Sequence, residues 1–200
     1  LVAALTLMAG SAFAQIATTA HDLSSGQGSG SASDEICVFC HTPHNASAAG
    51  FAPLWNRTTV DATVLYTGPG SLDATITLAQ INATDAPLCL SCHDGASLAT
   101  ALNNPPNVAS GAGPDITATV GVNAVLGTDL SNDHPVGFDY SGINALDAEI
   151  ETLAVATGKG AQFFGTAGQD MWCSSCHDVH DDTNGAFLNV NNSGSALCLA

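Results

Sequence analysis

Cys-x-x-Cys-His occurs three times in this chain: Cys37-Val38-Phe39-Cys40-His41, Cys89-Leu90-Ser91-Cys92-His93 and Cys173-Ser174-Ser175-Cys176-His177. No other feature limits the fold as tightly. Two thiols three positions apart with an imidazole on the next residue form the attachment signature of c-type haem. The thiols bond to the porphyrin vinyls and the histidine becomes an axial iron ligand, so His41, His93 and His177 are the expected proximal ligands. Paired Cys-x-x-Cys also builds zinc ribbons, redox dithiols and disulfides. Here every pair is followed directly by His and the pairs lie far apart in the chain, which favours haem.

Composition points the same way. Charged residues make up only 10% of the chain, and much of the remainder is Ala, Gly, Ser, Thr and Asn. Such a chain is neither rich in large apolar side chains nor charged enough to be disordered. It needs something else to build a core around, and covalent macrocycles supply it. The expected fold is therefore mostly irregular and loop-rich, with a few short helices and minor β-structure wrapped around a haem stack.

The 18 acidic residues face two cations, Arg57 and Lys159, for a formal net charge of −16. That balance makes nucleic acid and anionic lipid poor partners, with no nucleic acid expected, and favours basic proteins, metal cations and positively charged minerals. Residues 1–14 are apolar and end in Ala12-Phe13-Ala14, the h-region and cleavage site expected of a secretory signal peptide. The run is too short to span a bilayer and no other approaches that length, so no transmembrane segment is expected. The cytochrome domain would begin at Gln15 and run to 200, in an exported protein of the periplasm, outer-membrane surface or extracellular space.

The seventh cysteine, Cys198, opens Cys198-Leu199-Ala200, the form of a further motif broken off after its third residue. A fourth haem is expected in the complete protein. Histidine arithmetic agrees. The seven histidines present, with the one a finished fourth motif would add, match four irons each held by two imidazoles. The distal candidates are His21, His44, His134 and His180. His44 and His180 each stand three residues after a proximal histidine, on the same side of a turn. Neither can clamp the opposite face of its own haem, so each is expected to reach a neighbouring one. Two imidazoles per iron leave no open site, which suits low-potential electron transfer rather than turnover.

Along the chain, Ser24 to Ser33 reads as a flexible arm, and Asp34 as the cap of a short helix bearing the first motif. Residues 51–57 offer aromatic cover for a macrocycle, and Thr58 to Tyr66 reads as a short strand. A helical turn is expected from Ala96 to Leu102 and mostly loop from Asn107 to Asp133. Leu146, Ile150 and Leu153 recur at helical spacing, so a long helix is expected from Ile143 to Thr157 with Gly158 at its C-cap.

In combination, Cys37-Val-Phe-Cys-His-Thr-Pro-His44, Ala52-Pro-Leu-Trp-Asn-Arg57, Leu88-Cys-Leu-Ser-Cys-His-Asp-Gly95, Asn132-Asp-His-Pro-Val-Gly-Phe-Asp-Tyr140 and Asn192-Ser-Gly-Ser-Ala-Leu-Cys198 resemble the tetrahaem outer-membrane cytochromes of metal-reducing bacteria, the OmcE-like group. The resemblance spans nearly all of the chain after residue 14. It implies four bis-His c-haems in a small loop-rich protein that polymerises head to tail into an extracellular electron-conducting filament, delivering to other redox cytochromes or metal acceptors. It also implies that one axial histidine comes from a neighbouring protomer, here His44 or His21. The alternatives are a soluble periplasmic shuttle with the same haems, or a multihaem oxyanion reductase. The latter would want a vacant haem face or a Cys-x-x-Cys-Lys attachment, and the chain has no such motif.

Overall fold

The computed structural model describes residues 15–27, 31, 33–48, 52–66, 76–98, 102–105 and 124–197. The signal peptide expected at 1–14, most of the loop expected over 107–133 and Cys198 lie outside them.

The architecture is loop-rich with a few short helices and a minimal sheet. In chain order the helices are α1 (Leu78–Ile81), α2 (Ala86–His93), α3 (Tyr140–Leu146) and α4 (Leu153–Gly158). Strands β1 (Phe138–Asp139) and β2 (Asp170–Met171) pair antiparallel, Phe138 opposite Met171 and Asp139 opposite Asp170. Short 3-10 turns occur at Ile36–Phe39, Cys173–Ser175 and Ser193–Ser195.

Local chemistry explains these boundaries. Thr77 and Gln80 close a capping box on α1. Pro87 sits in the first turn of α2, where its missing N–H costs nothing. The second motif lies on α2 itself; residues 94–98 that follow it are turn and bend rather than the expected helix. Asp94 makes that stop, because its Oδ1 accepts from Ala96 N and Ser97 N. The helix expected from Ile143 to Thr157 is two helices instead. Asp147 leaves helical geometry at φ −123° and its Oδ1 accepts from Glu149 N, Asn144 donates to Ile150 O, and Thr152 caps α4 through Val155 N. Short polar side chains that bond nearby backbone compete with the helix, and here they win. Leu146, the last residue of α3, is 65% exposed.

Residues 58–66 contribute one isolated bridge, Val64 to Asp129, rather than a strand. The arm beginning at Ser24 is held: Ser24, Ser31 and Ser33 are buried, and Ser25 N donates to Ser33 O. Asp34 does not cap the first motif. Glu35 occupies the N-cap with no side-chain bond, while Asp34 accepts from Ser25 Oγ.

Among the described residues, most buried apolar side chains fall into three small groups. Ile81, Leu90 and Leu130 centre the first; Phe138, Tyr140 and Ile143 the second; Phe39 and Leu98 the third. Gly137, at φ +84°, lets β1 pass α1, since a Cβ there would lie 2.9 Å from Ile81 Cδ1. β2 leads straight into Trp172 and the third motif.

Candidate haem-binding sites

The first and third motifs fold alike. In each, the histidine N–H returns to the first cysteine carbonyl, His41 to Cys37 O at 2.8 Å and His177 to Cys173 O at 3.2 Å. This tight turn brings both thiols and the imidazole to one side. The second motif reaches the same spacing on α2.

A second segment then clamps each turn. Thr42 N donates to Leu54 O, Asn56 N to Cys40 O, and Asn56 Nδ2 to Val38 O. Around the third motif Asp178 N donates to Phe187 O, Asn189 N to Cys176 O, and Asn189 Nδ2 to Ser174 O and Ser175 O. Pro53-Leu54-Trp55-Asn56 and Ala186-Phe187-Leu188-Asn189 thus play the same part. The two units are a structural repeat that the sequence alone did not reveal. The signal was present as an apolar pair before Asn at a similar distance after each motif, but neither segment stands out as a motif.

All three motif histidines are oriented through Nδ1. His41 Nδ1 lies 2.7 Å from Pro53 O, His93 Nδ1 2.6 Å from Ala124 O, and His177 Nδ1 2.9 Å from Ala186 O. A carbonyl only accepts, so each Nδ1 carries a proton, and Nε2 is the ring nitrogen left to face a metal. This is the arrangement that metal-bound histidines use to fix tautomer and ring direction. The residues therefore fit a haem iron.

The structure also brings imidazoles together in pairs. The His41 and His180 ring centres are 6.3 Å apart, and those of His21 and His93 are 6.1 Å apart. An imidazole nitrogen sits about 2.0 Å from a first-row metal with its ring centre about 1.1 Å behind, so two rings on opposite faces of one iron have centres roughly 6.2 Å apart. Ring planes are free to turn about that axis, so interplanar angles of 16° and 73° both suit it. His21 is further set by Phe187, stacked on it at 4.0 Å, and its Nδ1 faces Val179 O at 3.4 Å. Burial pulls the His21 pKa below its ordinary value, against the opposing effect of the Val179 bond, and so favours the neutral form that can ligate.

His44 and His134 are exposed, and among the described residues no second imidazole stands against them or against His177. His134 borders a small apolar hollow lined by Leu65, Ile81 and Leu130.

The motifs also meet one another. Burial pushes the Cys40 thiol up to about 12, with Cys92 adding to the rise and Arg57 opposing it. A hydrogen bond with Cys89, then burial, hold the Cys173 thiol well above its ordinary value. Asp85, N-cap of α2, turns its carboxylate away from its own helix. It accepts from Cys173 N at 3.0 Å, Ser174 N at 2.8 Å and Ser174 Oγ. Among the described residues, no three His, Cys, Asp or Glu side chains are grouped around a single ion position, and no helix is long and apolar enough to cross a membrane.

A comparison with curated proteins gives no match. The family model described as Doubled CXXCH motif matches residues 166–200, a range that takes in the third motif and Cys198. With three Cys-x-x-Cys-His motifs on the page, that match points to a multihaem c-type cytochrome, a carrier of electrons on covalently bound haem c.

Proposed function

We propose that this chain passes electrons along closely packed bis-His haems as a subunit of an extracellular filament. Cys37 and Cys40, Cys89 and Cys92, and Cys173 and Cys176 supply the thioether bonds, with Cys198 opening a fourth site. His41, His93 and His177 are the proximal ligands. His180 completes the haem of the first motif and His21 that of the second, while His44 and His134 serve the others. The haem iron supplies a one-electron couple; the chain's part is to hold two imidazoles on it and keep other ligands off.

The observation that carries this reading is the pair of ring separations, 6.3 Å for His41 and His180 and 6.1 Å for His21 and His93. Each joins a motif histidine to one from a distant segment, so haems held this way interlock. The filament rests on His44. It is the counterpart of His180 in the repeated unit and exposed like it, yet it has no imidazole against it among the described residues. His21 already faces His93, which leaves His44 to reach the neighbouring protomer. A contact that joins unlike surfaces without closing yields an open polymer.

Three measurements on the exported holoprotein test this. Mass should show covalent haem at every motif, spectra should be low-spin, and the reduced protein should bind little carbon monoxide. Rapid uptake of one carbon monoxide per chain would indicate an open site and support a reductase. Electron microscopy of material sheared from cells should show filaments, lost in His44→Ala; particles of uniform monomer size would favour the soluble shuttle.

A further inference from the structure

Arg57 is completely buried. Its Nη2 donates to Ser91 O at 3.1 Å, Ser97 O at 3.0 Å and Leu98 O at 2.9 Å, and Nη1 donates to Phe39 O at 3.4 Å. Phe39 lies inside the first Cys-x-x-Cys and Ser91 inside the second, so one guanidinium clasps both attachment turns. A guanidinium stays protonated in a protein, and a charge taken out of water ordinarily needs an opposite one beside it. Among the described residues no carboxylate lies in ion-pair contact with Arg57. Asp94 feels its charge but spends its oxygens on Ala96 N, Ser97 N and Ser97 Oγ. Nε of Arg57 is buried without a hydrogen-bond partner.

The structural repeat supplies an internal comparison. Arg57 follows Asn56, and its counterpart after Asn189 is Val190. The first and third sites therefore share their clamp and differ in this buried cation.

We infer that Arg57 is a positioning residue that sets reduction potentials, raising those of the haems at the first and second motifs relative to the third. An oxidised haem iron carries one more positive charge than the reduced one, so a fixed cation nearby favours the electron's arrival. The clasp also holds the two turns at a constant separation. This inference rests on the reading of the motifs as haem sites.

The test is a redox titration of the holoprotein with haem-resolved spectra, on wild type, Arg57→Gln and Arg57→Lys. Arg57→Gln should lower two haem potentials, each by about tenfold in the reduced-to-oxidised equilibrium, or about 59 mV for one electron, and leave the third in place. Arg57→Lys keeps the charge and should hold both near wild type even where the Tm falls. If Arg57→Gln does not take up all its haems, Arg57→Met is read in the same way. Unmoved potentials in a fully loaded charge-free variant would overturn the inference and leave Arg57 a structural clasp. A wild type carrying no covalent haem would instead defeat the haem reading itself.

Discussion

The rings of His41 and His180 stand nearly parallel, 16° apart, with centres 6.3 Å from one another. One belongs to the first attachment motif and the other follows the third. That spacing suits one iron between them, and under the proposed ligation the first haem site depends on a segment that follows the third motif.

His180→Ala should therefore leave every thioether bond intact while turning one haem high-spin, that of the first motif. His180→Ala combined with Cys37→Ser and Cys40→Ser removes that haem, and the high-spin signal should disappear with it. A high-spin signal that survives in the combined variant would place His180 on a different iron.

Asp85 joins the second motif to the third through its bonds to Cys173 N and Ser174. Its carboxylate is buried, so Asp85→Ala leaves those donors unsatisfied and should cost on the order of 1–3 kcal/mol. Urea unfolding of the holoprotein measures this. An unchanged midpoint would mean that water replaces the carboxylate at no cost.

Asn56 and Asn189 play matching roles, but Asn56 is fully buried and also exchanges bonds with Asn104. Asn56→Ala should destabilise by roughly 1–3 kcal/mol and exceed the effect of Asn189→Ala, because each buried group left without a partner adds its own desolvation cost. Equal losses in the two variants would remove the Asn104 contribution.

Burial pushes the Asp22 carboxyl up, but bonds from Ser24 Oγ, Thr18 N and Ser24 N outweigh it and hold the pKa below its ordinary value. A lowered folded pKa contributes stability that is complete above the unfolded value and lost as pH falls through the folded one. The stability gap between wild type and Asp22→Asn should be constant near neutrality and close below about pH 4. Because net acidity changes alike in both proteins over this range, their difference isolates Asp22. A gap that widened on acidification would reverse the sign and refute the assignment.

The parts legible in the sequence were the ones written in neighbouring residues. Cys-x-x-Cys-His places thiols and an imidazole on one turn whether that turn is 3-10, as at Cys173, or α-helical, as at Cys89. The loop-rich fold followed from a chain poor in large apolar side chains. Misreadings came where short polar groups compete with the backbone. Asp147 broke a helix that Leu146, Ile150 and Leu153 suggested by their spacing, and Asp94 ended another. The serine arm looked flexible by composition, yet Ser24 and Ser33 are buried.

The attachment chemistry was thus open to a linear reading, since it depends on residues within one turn of each other. The choice of which imidazole faces which was not. Pro53, Ala124 and Ala186 aim the three motif histidines through carbonyls, which any residue type carries and no sequence pattern marks. His21 reaches His93 and His180 reaches His41 because the folded chain brings distant segments together, and contacts of that kind leave no local trace.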